Sequence, residues 1–125
     1  MATAWLQMHD FSSKELGNMS RAEMLVAFDS VDWRAERSKN SEDDPNTNCP
    51  PGFGINLGGN ILHLCPYDDH NMFFHLHYEA DARFIGIVPI KRKRSHYVES
   101  YPVGDAPKVI TYFMLNDLRR ILEIR

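Results

Sequence analysis

Five side chains near the middle of the sequence are of types that could do chemistry together: His63 and Cys65, then His75, His77 and Glu79. Within each group the spacing is two, the period of a β-strand, so each group faces one side of its strand, with Cα atoms roughly 6.6–6.8 Å apart. Imidazole, thiolate and carboxylate are all ligands that zinc accepts, and antiparallel pairing of the two segments could bring three of them to one ion. On the zinc reading, His63, His75, His77 and Glu79 are the ligands. On the competing reading they form the solvent-facing half of an amphipathic hairpin. A His-x-His pair with no third ligand at a metal-site spacing favours the second, with no metal and no cofactor.

Nucleophilic chemistry would need Cys65 or Ser95 beside a histidine, with Asp68, Asp69 or Glu79 to orient it. The chain has neither a Gly-x-Ser-x-Gly elbow nor a cysteine-protease signature, so no catalytic residue is assigned and a non-enzymatic role is expected. Gly52-Phe53-Gly54 and Gly58-Gly59 lack the Gly-Lys-Ser/Thr of a phosphate loop and read as strand ends and turns.

The charge runs suggest contacts. Lys91-Arg92-Lys93-Arg94 could meet a nucleic-acid backbone, but no aromatic is interleaved with it, so it reads as a solvated hairpin tip and nucleic acid is not expected as a partner. Acids at Glu42, Asp43 and Asp44, and again at Asp68 and Asp69, could steer a basic protein partner, with Trp33, Tyr67 and His70 as the anchors beside them.

These residues need elements to hold them. Asn60–Cys65 and Met72–Glu79 alternate with period two around the turn-forming Pro66–Asn71, which predicts a β-hairpin. Leu62, Leu64, Met72, Phe74, Leu76 and Tyr78 share its even-numbered face. Ile61, His63, Cys65, Phe73, His75, His77 and Glu79 share the other. A further strand pair is predicted over Phe84–Ile90 and Ser95–Tyr101, flanking the basic tip, and a strand over Phe53–Leu57. Ser20-Arg21-Ala22-Glu23 fits a capping box opening an amphipathic helix to about Arg34. Ser12–Leu16 could add a helical turn stopped by Gly17. Residues 36–52 read as a long exposed loop. Asp105 can cap a closing helix from Ala106-Pro107 whose face is Ile110, Phe113, Met114, Leu118, Ile121 and Leu122, although Ile110–Leu115 could also form a strand.

The expected fold is therefore α+β: one domain over residues 1–125, a mostly antiparallel sheet of about five strands, and an N-terminal and a C-terminal helix on one face. A chain of 125 residues with 43% hydrophobic residues can close one core without disulfides. A formal net charge of -3 excludes a protein that is basic throughout. Two cysteines are too few for a disulfide framework, and the start carries neither a basic n-region nor an apolar run, so a cytoplasmic location with no membrane contact is expected.

An amphipathic helix running into Val31-Asp32-Trp33, a Gly-rich lead into amphipathic strands with Phe74-His75-Leu76-His77-Tyr78, and a closing helix together resemble the small cytoplasmic immunity proteins encoded beside bacterial secreted toxins. That resemblance implies a non-enzymatic protein that binds one cognate toxin domain and occludes its active site. No functional residue is carried over by position.

Overall fold

The computed structural model describes residues 2–39, 51–85 and 88–125, giving for 80–85 and 88–91 the strand path alone. The hairpin forms in the expected register: β4 (Asn60–Pro66) pairs antiparallel with β5 (Asn71–Ile85), matching Leu62 with Leu76, His63 with His75 and Leu64 with Phe74. Leu62, Leu64, Met72, Phe74 and Leu76 all lie in the core, as the alternation requires. β3 (Gly52–Leu57) joins β4 through Gly58-Gly59, both at positive φ, which glycine adopts without steric cost.

β1 (Ala2–Gln7) and β2 (Ser13–Met19) form an N-terminal hairpin that the sequence reading did not anticipate. Ser12–Leu16 is not a helical turn, and Gly17 does not end one. Gly17 sits at φ +76 where the β1–β2 register shifts, so its left-handed backbone forms a bulge inside a strand. The sheet thus has six strands, all pairs antiparallel, in the order β2-β1-β3-β4-β5-β6 with β6 spanning Val88–Pro102.

The capping box is present: the Glu23 amide donates to Ser20 Oγ at 3.2 Å and the Ser20 amide donates to Glu23 Oε1 at 3.1 Å. The helix behind it is shorter than expected. α1 (Arg21–Asp29) ends, and α2 (Trp33–Ser38) starts afresh, because Asp32 accepts from the Ala35 amide at 3.0 Å and the Trp33 indole N–H donates to the Phe28 carbonyl at 3.1 Å. Residues 36–38 are therefore helix rather than loop.

After a 3-10 turn at Val103–Asp105, the closing helix is likewise two pieces: α3 (Ala106–Met114) and α4 (Leu118–Leu122), divided where Asn116 takes φ 56. Asp105 stands at the cap position without a capping hydrogen bond, its carboxylate instead pairing with Lys108 at 3.3 Å. Met24 and Phe28 of α1, Val109, Ile110 and Phe113 of α3 and Ile121 of α4 pack on the inner sheet face, against Phe53, Ile55 and Phe74. Each such buried side chain contributes about 1.5–3 kcal/mol.

The basic run is placed differently from expectation. Lys91–Arg94 lie within β6, in register with Asp81, Ala80, Glu79 and Tyr78 of β5. β4 reaches only to His77 in its pairing with β5, so the rest of β5 and the start of β6 extend past the sheet as a two-stranded arm.

Candidate functional site

The structure places Tyr67, Asp68, Asp69 and His70 in one turn at a rim beside α2. The Tyr67–His70 turn joining β4 to β5 is fixed by Asp68, whose Oδ1 accepts from the His70 and Asn71 amides at 2.8 Å each, while Asn71 Nδ2 donates to both of its oxygens at 3.1 Å. These donors favour the ionised form, the His70 amide most of all, and hold the Asp68 carboxyl below the usual carboxylate range. α2 straps the same turn from outside. Arg37 Nε donates to the Tyr67 carbonyl at 2.9 Å, and Asp69 lies between Arg34 at 3.6 Å and Arg37 at 3.8 Å. The His70 carbonyl accepts from the Val103 amide at 2.9 Å.

Behind the rim is a cleft of about 310 Å³ walled by Phe28, Trp33, Arg34, Asp68, Asp69 and Met72, among others. Tyr67 is 44% exposed. Trp33 is not the partly exposed anchor that was expected, because at 7% exposure it is part of the core, with its ring 5.3 Å from that of Phe28. Glu42, Asp43 and Asp44 lie outside the described residues. Arg34 and Arg37, which sequence reasoning did not select, complete the rim. Their only signal was a spacing of three on one helix turn.

The His/Cys/Glu face is on the other side of the sheet. His63 faces His75 across β4–β5, and His75 and His77 face Tyr97 and Ser95 across β5–β6. Cys65, buried, has Sγ at 3.6 and 3.8 Å from the two ring nitrogens of His63. The centroids of His75 and His77 are 5.8 Å apart. Among the described residues no group of three or more His, Cys, Asp and Glu side chains is placed to hold a metal ion. Ser95 Oγ lies 3.1 Å from His77 Nδ1, the serine–histidine contact a nucleophile would need; Asp68 and Asp69 sit in the turn at the far end of the hairpin, whereas Glu79 is two residues along β5 from His77 and stands opposite Lys93. Burial, and then the neighbouring His75 and His77, push His63 below the ordinary histidine range, and burial followed by His77 does the same to His75.

What the alternation did not identify is how much aromatic surface shares this face. Trp5 from β1 stacks beside His63 with ring planes 16° apart and centroids 6.5 Å apart, and the Tyr97 ring is 4.4 Å from His75 and 6.0 Å from Phe73. Gly52 opens β3, but Gly54 is inside the strand rather than at its end. They lie in β3, where a side chain would strike His63 and Trp5, so these two rings rest on bare backbone.

Comparisons with family models, with curated proteins and with solved structures found no match to this chain. Among the described residues no helix is long and apolar enough to cross a membrane.

Proposed function

We propose that this is a non-enzymatic inhibitory protein of the immunity type, which neutralises a cognate bacterial toxin domain by occluding its active site with the Tyr67–His70 rim. The observation that carries the reading is the fixed state of that turn. An exposed tyrosine stands on a loop already ordered by Asp68, Arg37 and Val103, so little conformational freedom is lost on binding and the aromatic surface can act as an anchor. Asp69 and the two arginines around it supply the charged margin that guides encounter and fixes orientation.

The test is protection. Cells expressing the toxin domain encoded beside this gene should survive when the chain is co-expressed, and the two proteins should co-purify. Combining Tyr67→Ala with Asp69→Arg should weaken the complex by roughly a hundred-fold or more, the loss of about one hot-spot anchor. A folded double variant that protects as well as the parent would remove the rim from the interface. A parent chain that protects against no neighbouring toxin would end the inhibitor reading.

A further inference from the structure

The sheet face that carries Trp5, His63, His75 and Tyr97 has no helix on it among the described residues, since the buried side chains of α1, α3 and α4 belong to the core on the other face. The register sets these residues in one row across the sheet. Glu15 of β2 stands opposite Trp5 of β1, Trp5 opposite Gly54 of β3, Gly54 opposite His63 of β4, His63 opposite His75 of β5, and His75 opposite Tyr97 of β6. Every strand gives the row one residue. It begins at an exposed carboxylate and ends at a tyrosine that is 50% exposed.

The rings lie flat because the backbone beneath them is bare. A side chain at Gly54 would strike Trp5 and one at Gly52 would strike His63, and the planes of these two rings are 16° apart. Trp5 and Tyr97 are four inter-strand steps apart, about 19 Å, which is the reach of about six residues of extended chain. Around the row the charge is negative. Glu15, Glu79 and Glu99 border it, and Lys93 is the one cation aligned with it among the described side chains, because Arg92 and Arg94 alternate to the other side of β6. Lys93 stands opposite Glu79, which leaves Glu15 beside Trp5 and Glu99 two residues along β6 from Tyr97. Both are exposed, and neither has an ion-pair partner among the described residues. Glu99 Oε1 accepts only from the Tyr67 hydroxyl, at 3.5 Å. His63 and His75 do not offset these acids at neutral pH, since burial and their histidine neighbours hold both below the ordinary histidine range.

From this juxtaposition we propose that the open sheet face docks an arginine-bearing segment of a basic protein partner, with guanidinium groups lying on Trp5 and Tyr97 and pairing with Glu15 and Glu99. A guanidinium is planar, weakly hydrated and always charged, so one group can lie on a ring and meet a carboxylate together. The ammonium of lysine is compact and strongly hydrated and fits a flat ring less well. An anionic partner would set its charge against Glu15 and Glu99. A second copy of this chain would bring the same excess of acids to the contact. The proposal goes beyond the inhibitor reading and does not need it, since a peptide alone tests it.

The full chain is titrated into a fluorescein-labelled peptide of about eight residues in which arginine and glycine alternate, followed by anisotropy at about 50 mM salt. Counterpart peptides carry lysine, glutamate or the neutral arginine isostere citrulline at the same positions. The arginine peptide should bind, the lysine peptide about two-fold or more weakly, and the other two should not. Tryptophan emission should change through Trp5, because Trp33 is buried. Tyr97→Ala should weaken binding by about two-fold to thirty-fold, and Tyr97→Phe, which keeps the ring, should retain it. Glu15→Gln combined with Glu99→Gln should weaken binding by about two-fold to thirty-fold. Both glutamates are exposed, so this second variant tests the proposal even if Tyr97→Ala is unstable by circular dichroism. Absence of binding, equal affinity for the lysine, citrulline or glutamate peptide, or indifference to the glutamate variant would overturn the proposal. So would a concentration-dependent dimer that Tyr97→Ala abolishes, since a second copy would then be what covers the face.

Discussion

At Gly54 a single added carbon would run into the ring carbons of Trp5, and the ring could be accommodated only by lifting off the sheet. Gly54→Ala should therefore destabilise the fold by about 1–3 kcal/mol, the usual cost of overpacking. Gly104→Ala is its control, having nothing within 4 Å and no left-handed backbone, and should stay within about 0.5 kcal/mol. Urea denaturation measures both. Nearby, His63 and His75 bind protons less readily in the folded chain than in the unfolded one. Below the ordinary histidine value near ~6.5 the unfolded state therefore takes up more protons, and stability falls as pH drops from neutrality toward the lowered folded values. Melting temperatures at about pH 7.5 and 5.5 should show this fall, and His63→Gln should shrink it. Asp68 and Glu23 act in a lower window. Their folded values are depressed, so their contributions are intact at both of these pH values and are lost only below the ordinary carboxylate range near ~4.

At the scale of elements, what was legible in the sequence followed the size and chemistry of the side chains. The β4–β5 hairpin could be read because large apolar residues alternate there with polar ones, and the start of α1 could be read because Ser20 and Glu23 satisfy each other's amides. Ser20→Ala should cost about 0.5–2 kcal/mol by chemical denaturation. β1 was hidden because its inward residues include Ala2 and Ala4, too small to mark a period. β2 was hidden by Gly17, which resembles a helix stop but makes a bulge. The break between α1 and α2 depends on where Trp33 donates its N–H, a tertiary fact no periodicity contains. The basic run looked like a turn because four cations in a row suggest solvent, yet in a strand they alternate sides, and Lys91 and Lys93 stand opposite Asp81 and Glu79. For the candidate site, the turn residues were visible as types, but their arginine clamps on α2 were not. An arm paired on one side alone should also open more readily than the sheet. Amides of β5 beyond Tyr78 should exchange with deuterium faster than those of Phe74–Leu76, which β4 and β6 flank.

Across the whole molecule, one sheet separates two environments, and two adjacent residues sample them. Phe74 is fully buried, its ring edge-on to that of Tyr101, whereas Phe73, the next residue back, points to the open face, where its ring neighbours among the described residues are His75 and Tyr97. The same substitution at the two positions therefore asks different things of the fold. Phe74→Ala leaves a cavity in the core and should cost about 3–5 kcal/mol, a large fraction of the stability usual for a domain this size. Phe73→Ala removes ring contacts at a surface water already reaches and should cost about 1 kcal/mol. Urea midpoints at a fixed m-value give both figures. Near-equal losses would mean that the outer face is as closed as the inner one, and the room for a partner on it would be gone. A large difference would leave the inner face as the source of stability and free the outer one for binding. That division allows aromatic side chains to stand in solvent on β5 and β6 without the fold depending on them.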